Sequence, residues 1–173
     1  MPVTILVNAS GRGDNGLYLS SGFETHEKHI LEHLLVTMAM SKLCIESMYK
    51  QRWGRIINIS SSSVSHMLPG KCGYTAAMAG VEGFTRNLAL EVAHRGVTVN
   101  CLAPGYINTD MTKDYLKELD EKGKPAVKVI PAGYVGHPDD VAFSVEFLCS
   151  EKARYITGAV LPIDGGMTLG RII

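Results

Sequence analysis

The stretch from Gly54 to Gly83, GRIINISSSSVSHMLPGKCGYTAAMAGVEG, constrains this chain most, because it joins a strand to a helix through a polar loop. Arg55 to Ile59 is a short β-branched, apolar run of the kind that fills a parallel strand covered on both faces. Four serines, Ser60 to Ser63, close it. Pro69, Gly70 and Gly73 mark a loop. From Tyr74 onward apolar residues recur at Ala77, Val81, Phe84, Leu88 and Val92, the spacing of a helix with one buried face. Ser61 is thus expected at the carboxyl end of a strand and Tyr74 near the start of the next helix. Open α/β sheets bind ligands just outside the carboxyl ends of their strands.

The rest of the chain repeats this alternation. Thr4 to Val7 reads as a first strand running into Asn8-Ala9-Ser10-Gly11. Ser21 and Glu24 have the spacing of a capping box, opening a long helix from about Glu24 to Lys50 with Leu31, Leu34, Leu35, Met38, Ile45 and Met48 as its buried stripe. Val97 to Leu102 is the next buried strand. Residues 112 to 128 are rich in Lys, Asp and Glu and read as a solvated surface helix. His137-Pro138-Asp139-Asp140 suits a helix start, where a missing N–H costs nothing and acids meet the positive end of the dipole. That helix is expected to bury Val141, Val145 and Leu148. Tyr155-Ile-Thr-Gly-Ala-Val-Leu-Pro-Ile-Asp-Gly-Gly holds a last strand and a Gly-Gly turn. Strands alternating with helices imply an α/β fold with a parallel sheet, and 173 residues suit one domain over 1–173.

Seventeen basic side chains balance 17 acidic ones, so no net field favours nucleic acid or an anionic membrane. No run approaches the roughly 18 apolar residues of a membrane span, and the first residues do not resemble a signal peptide, so the expectation is a cytoplasmic protein. Cys44, Cys72, Cys101 and Cys149 form no Cys-x-x-C pair and read as reduced, mostly buried thiols. His26, His29 and His33 share one helical face with Glu32 nearby, but their spacing matches no named metal motif, and no metal is assigned. The early glycines Gly11, Gly13 and Gly16 follow a strand without opening a helix, so they are not read as a dinucleotide fingerprint.

The strand ending in Ile-Ser-Ser, followed thirteen residues after the second serine by a tyrosine, resembles the active-site segment of the short-chain dehydrogenases/reductases. Ala-Pro-Gly-Tyr-Ile-Asn-Thr from Ala103 is similar to that family's Pro-Gly-x-x-x-Thr, and YITG, DGG, TDMT and PDDVA together look most like its 3-oxoacyl-acyl-carrier-protein reductases. The resemblance extends from residue 3 to the C-terminus. It implies a partial Rossmann-like, doubly wound parallel sheet: the C-terminal part of that fold, about four strands with flanking helices. It places Ser61 and Tyr74 at the catalytic serine and tyrosine and His33 at an asparagine that holds a proton-relay water. Met78 falls where the family has its lysine. For the cofactor it implies Asn8, Gly11, Pro104, Gly105, Ile107 and Thr109, with NADP or NAD as the nucleotide. The Gly-rich pyrophosphate turn of the family has no counterpart here, so weak nucleotide binding by this chain alone is expected. Residues 112 to 128 would form a mobile lid.

Met78 brings neither charge nor a ribose hydrogen bond, and a phenol of ordinary pKa near ~10 is a poor base at neutral pH without a neighbouring cation. A Tyr and a Met four apart on a helix are also compatible with plain core packing. Three functional readings follow. One is a truncated, catalytically impaired reductase acting on a small or acyl-carrier-bound carbonyl. The second is a non-redox acid/base enzyme, an isomerase or dehydratase, using His33 and Tyr74. The third is a non-catalytic subunit that pairs with a complete homologue. The family's use of its two long helices for assembly implies a homo-oligomer, dimer or tetramer.

Overall fold

The computed structural model describes residues 2–13 and 16–170. Four parallel strands, β1 (Ile5–Asn8), β2 (Gly54–Ile59), β3 (Val97–Pro104) and β4 (Val160–Ile163), lie side by side in sequence order. Ile56 stands beside Leu6 on one side and Val99 on the other, which fixes the register across the centre. Helices α1 (Phe23–His29), α2 (Val36–Gln51) and α3 (Cys72–Val92) belong to one layer, and α5 (Pro138–Cys149) covers the opposite face of the sheet. The helix α4 (Lys113–Glu121) carries no buried residue, as its charge pattern implied.

Strand alternation explains the two cores. Ile56, Val97 and Val99 pack with Cys44 and Met48 of α2 and with Ala89 and Val92 of α3. Residues of opposite parity, Ile57 and Leu102, pack with Leu148 of α5 and with Ala153. β2 and β3 are therefore covered on both faces, and their near-continuous apolar character follows. β1 is a sheet edge, and its Ile5 and Val7, on the α5 side, keep 45% and 43% of their surface exposed, as does Val3 just before it at 46%.

Two expectations fail. Ser21 and Glu24 form no capping box: Gly22 is the N-cap, with no side-chain cap bond, and the Ser21 hydroxyl instead donates to the Leu17 carbonyl at 3.0 Å. The long helix spans the expected length but is interrupted by a π-helical stretch, Ile30–Leu35, whose wider turn keeps residues four apart on one side. Its inward face is consequently His29, His33, Thr37, Ser41, Cys44 and Met48. Of the expected stripe only Met48 is fully buried, while Leu31, Leu35 and Met38 are 57%, 47% and 41% exposed. Cys44 and Cys101 are buried, but Cys72 is exposed. α5 starts as expected, with Pro138 in its first turn and a reciprocal cap between His137 and Asp140.

At the amino end of β2 the guanidinium of Arg55, 2% exposed, pairs with Glu151 at 2.9 Å and lies 4.6 Å from the centre of the Trp53 ring. The Trp53 indole N–H donates to the same carboxylate at 2.6 Å. This joins the sheet to the turn after α5 and neutralises a buried cation. Glu151→Ala is expected to cost about 1–2 kcal/mol, because the carboxylate itself is solvent-facing while the cation is not. A lower urea midpoint at unchanged slope is the readout.

Candidate active site

Ser61 lies two residues past the end of β2, in extended backbone, and caps a short turn by accepting from the Ser63 N–H at 3.1 Å. Tyr74 lies in the first turn of α3. Together they wall a cavity of about 150 Å³ that also touches Gly13, Lys71, Gly105, Tyr106, Thr112 and Tyr115. Burial pushes the Tyr74 phenol above its ordinary pKa, and a hydrogen-bonding interaction with Ser61 pulls against that rise. The phenol is thus held protonated, beside a hydroxyl, at the carboxyl edge of the sheet. In the cavity wall the Tyr106 phenol is pushed up to about 12 by burial and by its neighbour Tyr115.

Behind Tyr74 stand two histidines. The His33 ring meets the Tyr74 ring edge-on, centroids 5.1 Å apart, and His29 does so at 5.8 Å while stacking on His33 at 5.9 Å. Both His33 nitrogens are engaged by main chain: Nδ1 lies 3.0 Å from the Ser10 carbonyl oxygen and Nε2 3.0 Å from that of Arg12. His33 therefore props the loop after β1 against the tyrosine. Gly11 belongs to the same contact. Its φ is +103°, and an added Cβ would stand 2.1 Å from His33 Cε1. His26 turns away and stacks on Tyr18 at 4.7 Å. No cluster of three or more metal-ligating side chains occurs among the described residues.

Met78, 2% exposed, is part of the core of α3 and presents no polar atom to the phenol. Asn8 is buried below the cavity, donating to Asn58 Oδ1 at 2.8 Å. Pro104 ends β3, and Gly105 N–H donates to the Ile163 carbonyl at 2.9 Å. A Cβ on Gly105 would reach 2.8 Å from that of Asp164, so the close approach of these two loops requires glycine. Ile107 is buried and bridges to Gly136, lining a neighbouring cavity of about 320 Å³. Thr109 hydrogen-bonds with Thr112, its N–H donating to Thr112 Oγ1 at 3.0 Å. The structure thus brings Ser61, Tyr74 and Gly105 to one cavity, sets His33 and Gly11 behind it, and leaves Asn8, Ile107 and Thr109 supporting the surrounding backbone. Lys71, His29, Tyr106 and Tyr115 are the site residues that sequence reasoning missed. Lys71 had a signal, since it stands three residues before Tyr74 and so on the same helical side.

A parallel sheet covered on both faces, with a serine–tyrosine pair at its carboxyl edge, is the arrangement of a Rossmann-like oxidoreductase domain. The family model described as Enoyl-(Acyl carrier protein) reductase matches residues 2–168. The chain belongs to the short-chain dehydrogenase/reductase family, on the side of its 3-oxoacyl-acyl-carrier-protein reductases. It is 42% identical over 165 residues to the 3-oxoacyl-acyl-carrier-protein reductase FabG of Aquifex aeolicus, spanning 95% of this chain and 65% of that one. To the FabG of Haemophilus influenzae it is 42% identical over 167 residues, spanning 96% and 68%. The crystal structure of an oxidoreductase of the short-chain dehydrogenase/reductase family from Burkholderia thailandensis matches at a TM-score of 0.91 and 28% identity, covering 99% of this chain and 67% of that one. The chain thus spans about two thirds of the length of the relatives it matches.

Gly11→Ala is expected to drive His33 off the Tyr74 edge and to destabilise the protein by about 2 kcal/mol, from strain at positive φ together with the collision. Loss of the His33 contacts in NMR spectra, with a lowered unfolding midpoint, is the expected result.

Proposed function

We propose that this chain carries the carbonyl-handling part of a short-chain reductase of the 3-oxoacyl-acyl-carrier-protein type, working with NADP or NAD and impaired by the replacement at residue 78. The pairing of Ser61 with the buried phenol of Tyr74 at the carboxyl edge of the sheet carries this reading. A nicotinamide nucleotide, when bound, supplies hydride. The residues present fit its nicotinamide end: Pro104 ends β3 and Gly105, Ile107 and Thr109 lie in the loop after it, while Asn8 and Gly11 position the loop after β1. They do not fit its ribose, because Met78 is turned into the core where a hydrogen-bonding cation would be needed.

In this reading the Ser61 hydroxyl donates a hydrogen bond to the substrate carbonyl oxygen, and Tyr74 holds the proton that this oxygen would take up on reduction. Burial keeps the phenol protonated, which suits the donor, but makes the phenolate left behind costly. Slow turnover follows. A small or acyl-carrier-bound carbonyl compound is the substrate class. The isomerase or dehydratase reading draws less support, since both nitrogens of His33 face backbone carbonyls rather than the cavity. The reading as a non-catalytic subunit draws on the uncovered face of β1.

The test is nicotinamide-nucleotide oxidation with a 3-oxoacyl thioester at millimolar nucleotide. A slow rate that Tyr74→Phe lowers roughly a hundredfold or more is expected. A rate equal in wild type and Tyr74→Phe would favour the non-catalytic subunit.

Assembly belongs to the same proposal. The apolar stripe of the long helix is exposed in the single chain at Leu31, Leu35 and Met38, and it adjoins a groove between α2 and α3 that Met38, Ile45, Phe84 and Leu88 line. Burying apolar surface contributes roughly 25 cal/mol per Å², so a standard interface of about 800 Å² per partner offsets much of the exposure. A symmetric dimer or tetramer through α2 and α3 is expected. Sedimentation at micromolar concentration checks it, and Leu88→Glu in the groove should shift the protein toward monomer.

A further inference from the structure

Residue 78 leaves Tyr74 without a cation one helical turn later, but one turn earlier stands Lys71. With 3.6 residues per turn, positions three before and four after a residue fall within about 60° of it, on the same side. Lys71 is the N-cap of α3, flanking the helix, and its carbonyl accepts the first helical bond from the Thr75 N–H at 2.7 Å. Its Nζ lies 5.1 Å from the centre of the Tyr74 ring. Lys71, Ser61 and Tyr74 line one cavity.

We propose that Lys71 is the cation that acts on Tyr74, supplying from before the tyrosine the positive charge that residue 78 does not supply from behind it. The proposal rests on reading Ser61 and Tyr74 as the chemical pair. When the Tyr74 O–H bond breaks and its proton passes to the carbonyl oxygen, the negative charge left on the phenol is what a neighbouring ammonium stabilises. Lys71 acts through Tyr74 and is a positioning residue in that sense, not a proton donor to substrate. Among the described residues, the other ionisable or polar groups around Tyr74 are His29 and His33 at the ring edge and Ser61 just past β2, with Ser62, Ser63, His66, Tyr106, Thr112 and Tyr115 also lining the cavity. Of the two histidines, His33 is the nearer and has its nitrogens turned to backbone. Lys71 is the one lysine or arginine lining the cavity among the described residues.

The experiment is a phenolate absorbance titration of the whole chain. Each protein is measured against its own Tyr74→Phe counterpart, so that one phenol among 7 tyrosines is isolated. Lys71→Gln is expected to raise the Tyr74 ionisation midpoint by about one pH unit, the low end for removing a neighbouring opposite charge. Lys71→Arg should keep it near wild type, and His33→Asn should move it less than Lys71→Gln does. Equal midpoints for wild type and Lys71→Gln overturn the proposal, and so does a shift that Lys71→Arg fails to rescue. Circular dichroism melts establish that each variant is folded. Lys71→Ala provides a second uncharged side chain at this half-buried position should Gln disturb the helix start. The readout requires neither nucleotide nor turnover, so loss of the proposed reductase activity and loss of this inference are separate outcomes.

Discussion

The position of Tyr74 depends on a buried line of side-chain hydrogen bonds running from the edge of the sheet into α3. Asn8 of β1 donates to Asn58 of β2, Asn58 donates to the Thr85 hydroxyl at 2.8 Å, and that hydroxyl donates to the Val81 carbonyl one turn earlier in the helix. Asn58 and Thr85 are fully buried, so each group left without its partner would cost the whole of its desolvation. Beside this line Ser60 donates to Glu82 at 3.2 Å, and Arg86 lies 3.4 Å from the other oxygen of that carboxylate. Polar groups therefore fix the depth and rotation of α3 against β2, where an apolar contact would tolerate sliding. Ser61 and Tyr74 sit on the two elements so joined.

The π-helical stretch does the corresponding work on the other side of the tyrosine. By keeping His29 and His33 on the inward face it fills the space behind the phenol with two rings, and His33 reaches through to two carbonyls of the loop after β1. That loop comes close enough only because residue 11 has no side chain. Three segments distant in sequence thus converge on one aromatic ring. The raised phenol pKa is a consequence of that convergence, since it comes first from burial.

The same rotation of the long helix turns Leu31, Leu35 and Met38 outward. Apolar residues at helical spacing show that a face must be covered, but not by what. On β1 the alternation is equally plain, with Leu6 and Asn8 turned to the helical layer and Val3, Ile5 and Val7 turned to a face that α5, packed on β2 and β3, leaves open.

The sequence alone determined the order of strands and helices, the double covering of β2 and β3, the start of α5 at Pro138, and the family, because these depend on local propensity, on periodicity and on motifs contiguous in the chain. It also placed Ser61 and Tyr74 at the ends of adjoining elements. Tertiary structure decided which helical face is buried, since a π turn has no signature in apolar spacing and shifts the phase of everything beside it. It also decided that Gly22 rather than Ser21 caps α1, because the Ser21 hydroxyl finds Leu17 and His26 instead. The neighbours of Tyr74 from other segments were settled there too: Lys71 precedes it by three residues in the chain, but whether His29 and His33 meet the same ring depends on packing between helices, which no spacing along a single element encodes.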